Sequence, residues 1–379
     1  RVSKMKPFIR AVLRISAYQI FYMDSVEDRA ACNEGVNLVK KHGLRNLSGF
    51  ANGVLRALIR NKDQLLALEG IDDPAERESL TYSVPRWITG RWHQMFSADA
   101  VRQILEGISE EAPLTVRINQ SLASTEQVKQ SLEQDGVSWK PGPWFPGSLI
   151  LSGSVPPDQL KSFRRGWIQI QDTSSQTVGA AADPEAGCCI IDVCAAPGGK
   201  TMDVTDRLRG TGHVWACDLT ERKVSLIREN LERTGFSNVE TVVHDACVYE
   251  EKWEQKADLV IADLPCSGLG VIGRKPDIRY RVTPEEITGL QRLQRQILSV
   301  VSRYVKPGGR LIYSTCTITR EENEENVRWI QTHLPFVLTP LTGTLPEGLR
   351  GGTAEKGWLQ LLPGVHGCDG FFLSQFRRI

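Results

Sequence analysis

The sequence predicts an α/β chain: a doubly wound, mostly parallel sheet preceded by an all-α module and a small α+β insert. Three observations lead there. From about residue 165, short apolar runs alternate with amphipathic helical patterns. Strands that apolar are buried on both faces, as parallel sheets covered by helices require. Residues 1–70 show only helical periodicity, and between 113 and 152 the period shortens to that of strands.

The first module is read from two faces. Ile9, Val12, Leu13, Ser16, Ala17 and Ile20 form one. Leu47, Phe50, Ala51, Val54, Leu55, Leu58 and Ile59 form the other. Residues 71–110 are also mainly helical, with "SADAVRQILEGI" opened by a Ser or Asp cap. "PLTVRIN" (113–119) and "GSLILSGS" (147–154) then read as strands around the helix "STEQVKQSLEQDG", and "KPGPWFPG" (140–147) as a loop. The main sheet is assigned "WIQIQD", "CCIIDVCAA", "HVWACDL", "VETVVHDA", "ADLVIADLP", "GRLIYSTC" and "GFFLSQF". Three segments result: 1–70, 71–160 and 161–379.

Composition sets the bounds. Hydrophobic residues at 41% and charged residues at 24% are ordinary for a soluble globular chain of 379 residues. No apolar run approaches the ~20 residues that cross a bilayer, and "RVSKMKPFIR" has no signal core, so a cytoplasmic protein without a membrane partner is expected. The chain lacks an initiator Met and enters directly into a helical pattern, which points to a first module incomplete at its start. The net charge of +1 hides an asymmetry: residues 1–70 hold 12 Lys/Arg against 6 Asp/Glu. A basic module on a near-neutral body points to a polyanionic partner such as nucleic acid. The nine cysteines form no C-x-x-C pair and the six histidines are scattered, which argues against a metal site and a disulfide framework.

The chemistry is expected in the last segment. "IIDVCAAPGGKT" (190–201) is a strand, a Gly turn and a helix start. Gly198 and Gly199 permit a tight turn and a close backbone approach to a ligand. The stretch matches neither a Walker loop nor a full G-x-G-x-x-G, so it suits a nucleoside without a diphosphate. Asp218 stands twenty residues after Gly198, the usual interval to a ribose-binding acid. Asp245 and Asp263 close the next two strands. Three acids on one sheet edge after a Gly turn indicate S-adenosylmethionine or a similar nucleoside cofactor.

Two thiols stand at strand ends on that same edge: Cys266 in "DLPCSGLG" and Cys316 in "YSTCTI". Most lone cysteines are small buried hydrophobes. Pro-Cys-Ser-Gly, however, is a loop composition, with Asp263 three residues before the thiol. Alkylating carbon 5 of a pyrimidine would employ such a group. That carbon is unreactive until a nucleophile adds at carbon 6, and a thiolate is well suited to the step. An acid near ring nitrogen 3 can share a proton with the adduct, and a second thiol can assist release.

"DVCAAPGGKT", "DLPCSGLGVIGRKPDIRYR", "YSTCTITREENEEN" and "LPGVHGCDGFFLSQFRR" together resemble the signature blocks of the Sun group of RNA cytosine-5 methyltransferases. The N-terminal helices resemble a NusB-like RNA-binding domain, which points to the small-subunit ribosomal RNA methyltransferase B type. The resemblance implies a Rossmann-like methyltransferase domain that transfers a methyl group from S-adenosylmethionine to carbon 5 of a cytidine in 16S ribosomal RNA. It implies that Cys316 is the nucleophile, that Cys266 assists release and that Asp263 serves the ring. Cys194, Ala195, Ala196, Pro197, Gly198, Gly199, Lys200, Asp218, Asp245 and Asp263 would contact the cofactor, with no metal and in a monomer. DNA cytosine-5 methyltransferases use the Pro-Cys thiol instead, so the presence of both thiols favours the RNA group. Leu264 departs from the family's Ala, and "SFRRGW" (162–167) from a more acidic approach to the domain. Arg274, Lys275, Arg279 and Arg281 are expected to meet phosphate, and Tyr280 or an arginine to stack on a base.

Overall fold

A computed structural model describes residues 2–379 and divides the chain into two compact units, one ending at Arg86 and one spanning Trp87–Ile379. In the first, helices Pro7–Tyr22, Asp28–Lys41 and Ser48–Arg60 close on a core containing Ile9, Val12, Ile20, Val39 and Leu55. The first predicted face is buried except for Ala17, which is half-buried. In the second, Phe50 points outward instead, 46% exposed, at the edge of the stripe. The first two helices touch at Gly35, where an added Cβ would sit 2.5 Å from Ser16 Oγ.

The second unit begins with helices and then a four-stranded antiparallel sheet: β1 (Leu114–Ile118), β2 (Ser138–Pro141), β3 (Ser148–Ser152) and β4 (Ile168–Ile170), in the order β2-β3-β1-β4. Helix Thr125–Gln134 covers it. Ser124 and Gln127 cap that helix reciprocally, each side chain accepting from the other's backbone N–H. Two expectations are corrected here. Part of the predicted 140–147 loop is strand β2, whose Lys140 pairs with Ile150. "WIQIQD" does not open the main sheet: β4 pairs antiparallel with β1, and Ile168 joins Val116, Ile118 and Leu149 in the insert's core.

The main sheet contains β5 (Cys189–Asp192), β6 (His213–Asp218), β7 (Val239–Val243), β8 (Ala257–Asp263) and β9 (Val305–Thr315), all parallel. It is completed by β12 (Phe371–Arg378), antiparallel to β9, and by β10 (Phe336–Leu338) and β11 (Trp358–Leu361), each antiparallel to β12. The order is β10-β12-β9-β8-β5-β6-β7, with β11 also on β12. Neighbouring residues serve opposite faces. Ile191, Val260 and Leu311 pack with Leu298 and Ile330 from helices Pro284–Val301 and Glu324–His333. Ile190, Leu259 and Ile312 pack with Val178 and Leu208 from helices Thr173–Ala182 and Gly199–Leu208. Each such side chain contributes roughly 1.5–3 kcal/mol on burial. The chain runs outward from β5 through β6 to β7, then returns to place β8 on the other side of β5. That reversal opens a crevice at the carboxyl ends of β5 and β8, where doubly wound folds bind their ligands.

Candidate active site

The turn after β5 is braced from below. Ala195 N–H donates to Cys217 O at 2.8 Å, and Gly198 N–H to Ala195 O at 2.7 Å. Asn230 Nδ2 donates to Pro197 O at 2.8 Å. Gly198 sits at φ +110°, a left-handed conformation that side chains resist, and its carbonyl accepts the first bond of the following helix. Behind the turn, Asp192 is fully buried at the end of β5. Its Oδ2 accepts from Thr201 Oγ1 at 2.7 Å, and its Oδ1 has no partner. Burial pushes its carboxyl up to about 7, against the pull of the Thr201 bond.

Of the predicted residues, Cys194, Ala195, Ala196, Pro197, Gly199, Lys200 and Asp263 line one cavity of about 240 Å³. Gln171, Asp172 and Asp192, which sequence reading passed over, line it too. Asp218 lies beneath the turn, 3% exposed. It accepts from Ala196 N–H at 3.0 Å and Leu219 N–H at 2.7 Å, with Lys223 Nζ at 3.0 Å. Asp245 lies two residues past β7, exposed, and accepts from Cys247 N–H. Leu219 stands on the same edge, 57% exposed, and offers apolar surface where the sheet otherwise ends in acids.

Asp263 closes β8 and is held at both oxygens, by Ser314 Oγ at 2.8 Å and Lys200 Nζ at 2.7 Å. Burial disfavours the Lys200 ammonium, but Asp263 and Asp192 outweigh it and raise its pKa. Lys200 also stands over the Phe371 ring.

The adjacent strand ends bring the two thiols together: Cys266 Sγ and Cys316 Sγ are 3.3 Å apart. They are electrostatically unequal. The hydrogen bond from Cys266 draws Cys316 below the ordinary thiol range, against burial and Asp263, and Lys200 and Lys275 reinforce it. Cys266 is raised well above that range by the same bond, by burial and by the charge on Cys316. The shifts favour Cys266 as the donor and Cys316 as the more readily ionised thiol of the pair. The other cysteines on this edge are of a different kind: burial and neighbouring Asp218 push Cys194 up.

The loops carrying the thiols are locked by the last sequence block. Gly270 N–H donates to Cys316 O at 3.1 Å, and Gly370 N–H to Gly270 O at 2.8 Å. A Cβ on Gly270 would lie 2.1 Å from Gly370 O. On the other side of Cys266, a groove of about 470 Å³ passes Val282, Gly289, Leu290 and Leu293, with Arg281 and Glu286 beside it.

The basic loop divides. Arg279 is buried and bonded to Ile272 O, which removes it from the expected phosphate contacts. Arg274 bridges Asp172 and Asp369, an internal clamp. Lys275, Tyr280 and Arg281 are exposed, the last paired with Asp277.

A parallel sheet with a nucleoside-type turn after β5 and acids along its carboxyl edge defines the class: an S-adenosylmethionine-dependent methyltransferase. Residues 180–377 match the family described as 16S rRNA methyltransferase RsmB/F, residues 1–60 the NusB family, and residues 84–158 the ferredoxin-like domain of RsmF/B-like methyltransferases. The chain belongs to the RsmB/F family of rRNA methyltransferases. It is 34% identical over 379 residues to the probable ribosomal RNA small subunit methyltransferase B of Bacillus subtilis, covering 99% of this chain and 84% of that protein. With the ribosomal RNA small subunit methyltransferase B of Klebsiella pneumoniae it shares 32% over 369 residues, 97% of this chain and 81% of the other. A crystal structure of a methyltransferase homologue from Pyrococcus horikoshii superposes with a TM-score of 0.69 at 28% identity, covering 81% of this chain and all of that one. No helix among the described residues is long and apolar enough to cross a membrane, and none of their His, Cys, Asp and Glu side chains cluster as a metal site.

Proposed function

We propose that this chain methylates carbon 5 of a cytidine in 16S ribosomal RNA through a covalent bond between Cys316 and the base. The observation that carries the reading is the thiol pair, 3.3 Å apart at adjacent strand ends on the sheet's carboxyl edge, with Cys316 favoured over Cys266 for ionisation. A single structural thiol needs no such partner.

The residues around the crevice fit S-adenosylmethionine. The turn from Cys194 to Gly199 presents backbone and small side chains, Asp172 and Asp263 line the same cavity as acids already paired with Arg274 and Lys200, and Leu219 offers a surface for an aromatic base. The cofactor supplies the methyl group. The protein supplies the rest of the chemistry. The Cys316 thiolate adds to carbon 6, and the double-bond electrons move into the ring, where the Lys200–Asp263 pair can share a proton with nitrogen 3. Carbon 5, now electron-rich, takes the methyl group.

Adduct formation removes the thiolate that held the Cys266 proton. Cys266 then releases that proton to solvent and can accept the proton on carbon 5. The electrons left behind restore the ring double bond and expel Cys316 as thiolate. The pair returns to its starting state, and one proton is released per turnover.

The apolar groove from Cys266 past Val282 and Leu290 suits a splayed nucleotide, with Arg281 beside it and Lys275 exposed nearby in sequence for phosphate. The basic NusB-like unit fits the same polyanion.

A denaturing gel with labelled RNA and S-adenosylmethionine tests the assignment. Cys266→Ala should methylate and fail to release, leaving a stable protein–RNA adduct; Cys316→Ala should form none and lose turnover. An adduct from Cys316→Ala, or free turnover by Cys266→Ala without one, overturns the proposal.

A further inference from the structure

Behind the thiol pair lies a carboxylate that the mechanism above does not use. Glu322 is 0% exposed and has no cation among its hydrogen-bond partners. Four donors meet it instead. Ser267 N–H and Gln294 Nε2 reach Oε1 at 2.9 and 3.0 Å, and Ser267 Oγ and Thr319 Oγ1 reach Oε2 at 2.5 and 2.7 Å. A buried carboxylate is costly unless its lone pairs are filled, and here all four are.

The donors are not arbitrary. Ser267 directly follows Cys266, and Thr317, which directly follows Cys316, bonds the Ser267 hydroxyl at 2.7 Å. Ser267 Oγ spends its one proton on the Glu322 carboxylate, so Thr317 must point its own at Ser267. Gln294 also donates to Pro265 O at 2.9 Å, so Cys266 is held through the residues on both sides. Gln294 is fixed in turn by Asn326, which donates to its Oε1.

We propose that Glu322 is a positioning residue for the methyl transfer, holding the Cys266 loop in register with the Cys316 loop so that only Cys316 serves as nucleophile. This rests on the two-thiol reading above. The charges facing the pair agree. Glu322 and Asp263 disfavour ionisation of Cys266, while Cys316 meets Lys200 and Lys275 as well as Asp263. Glu322 thus loads the negative side of the pair onto Cys266's neighbourhood, leaving the thiolate to Cys316.

Glu322→Gln keeps the shape and one acceptor oxygen but places an NH₂ where hydroxyl donors converge. The Ser267 and Thr319 hydroxyls can rotate to accept, so the fold survives while the negative charge and the directed chain are lost. Iodoacetamide labelling followed site by site by mass spectrometry reads the result without RNA or cofactor. In the unaltered protein Cys316 should label at least tenfold faster than Cys266 across pH 6–9. In Glu322→Gln that ratio should fall below threefold, with methyl transfer slowed at least tenfold. Ser267→Ala, which removes only the hydroxyl relay, should give an intermediate ratio and decides the matter if Glu322→Gln does not fold.

A purely architectural Glu322 would lower the melting temperature and the active fraction but leave the labelling ratio intact, and that result overturns the inference. Failure of the cytosine-5 reading looks different: no RNA adduct in Cys266→Ala, whatever the labelling ratio.

Discussion

Asp218 illustrates how the structure changes the meaning of a mutation. Its spacing from Gly198 marks it as a ribose ligand, yet its carboxylate is already occupied by the N–H groups of Ala196 and Leu219. Asp218→Ala would strip both. A hydrogen bond to a charged acceptor contributes about 1.5–3 kcal/mol, and the Ala196 bond is the one inside the cofactor turn. Its loss weakens affinity for S-adenosylmethionine by at most roughly 10- to 150-fold, at 1.4 kcal/mol per factor of ten, the limit in which binding must re-form the turn. The Lys223 pair adds little, because that lysine is 52% exposed. Asp218→Asn retains one oxygen acceptor and exchanges a charged bond for a neutral one, a loss of about 1 kcal/mol or some fivefold. Two measurements decide the case: calorimetric titration with the cofactor, and thermal unfolding without it. A bracing role requires that Asp218→Ala weaken binding and also lower the melting temperature of the cofactor-free protein by several degrees. A role confined to the ribose leaves the second quantity unchanged. Affinity within threefold of the unaltered protein would refute the bracing argument and the ribose reading together.

Two further outcomes follow from the same neighbourhood. Asp192 titrates near 7 in the folded chain, far above its unfolded value, so the folded state holds a proton the unfolded state has lost. Its contribution is therefore full below about pH 4 and declines as pH rises toward 7, by up to about 1.4 kcal/mol per unit. Asp192→Asn should flatten that decline in melting curves between pH 4 and 8, and an unchanged slope would contradict it. Gly270→Ala should destabilise the second unit by about 1–3 kcal/mol or more and abolish methyl transfer, since its Cβ would meet the Gly370 carbonyl at 2.1 Å and neither backbone can yield alone. A Gly270→Ala protein with normal melting and turnover would show that these loops are not locked.

Local signals carried much of this site. The strand-turn-helix around Gly198, the acids closing β6 and β8, and both thiol loops were legible because each is written within a dozen consecutive residues. What escaped depends on pairing across long separations. β4 has the composition of a main-sheet strand, and only its partner β1, some fifty residues earlier, assigns it to the insert. β10 and β11 are three and four residues long, too short for periodicity to register, and exist because β12 offers them an edge. Arg279 looked like a phosphate ligand because sequence shows charge and not burial. Glu322 stood in a run of acids, "EENEE", with nothing in the sequence to separate it from the half-buried Glu321, Glu324 and Glu325. Only the fold turns that one acid inward.

The interlock of Gly270 with Gly370 also has a meaning in time. Cys266 and Cys316 follow β8 and β9, strands that could pair as soon as both have been synthesised. The contact that locks their loops waits for Gly370, and β9 lacks its second neighbour until β12 is added. A nascent chain therefore carries Cys266 and Cys316 on unlocked loops until residues near 370–378 have been synthesised. The lock on both thiol loops is thus completed only by the strand of this sheet that comes last in the sequence.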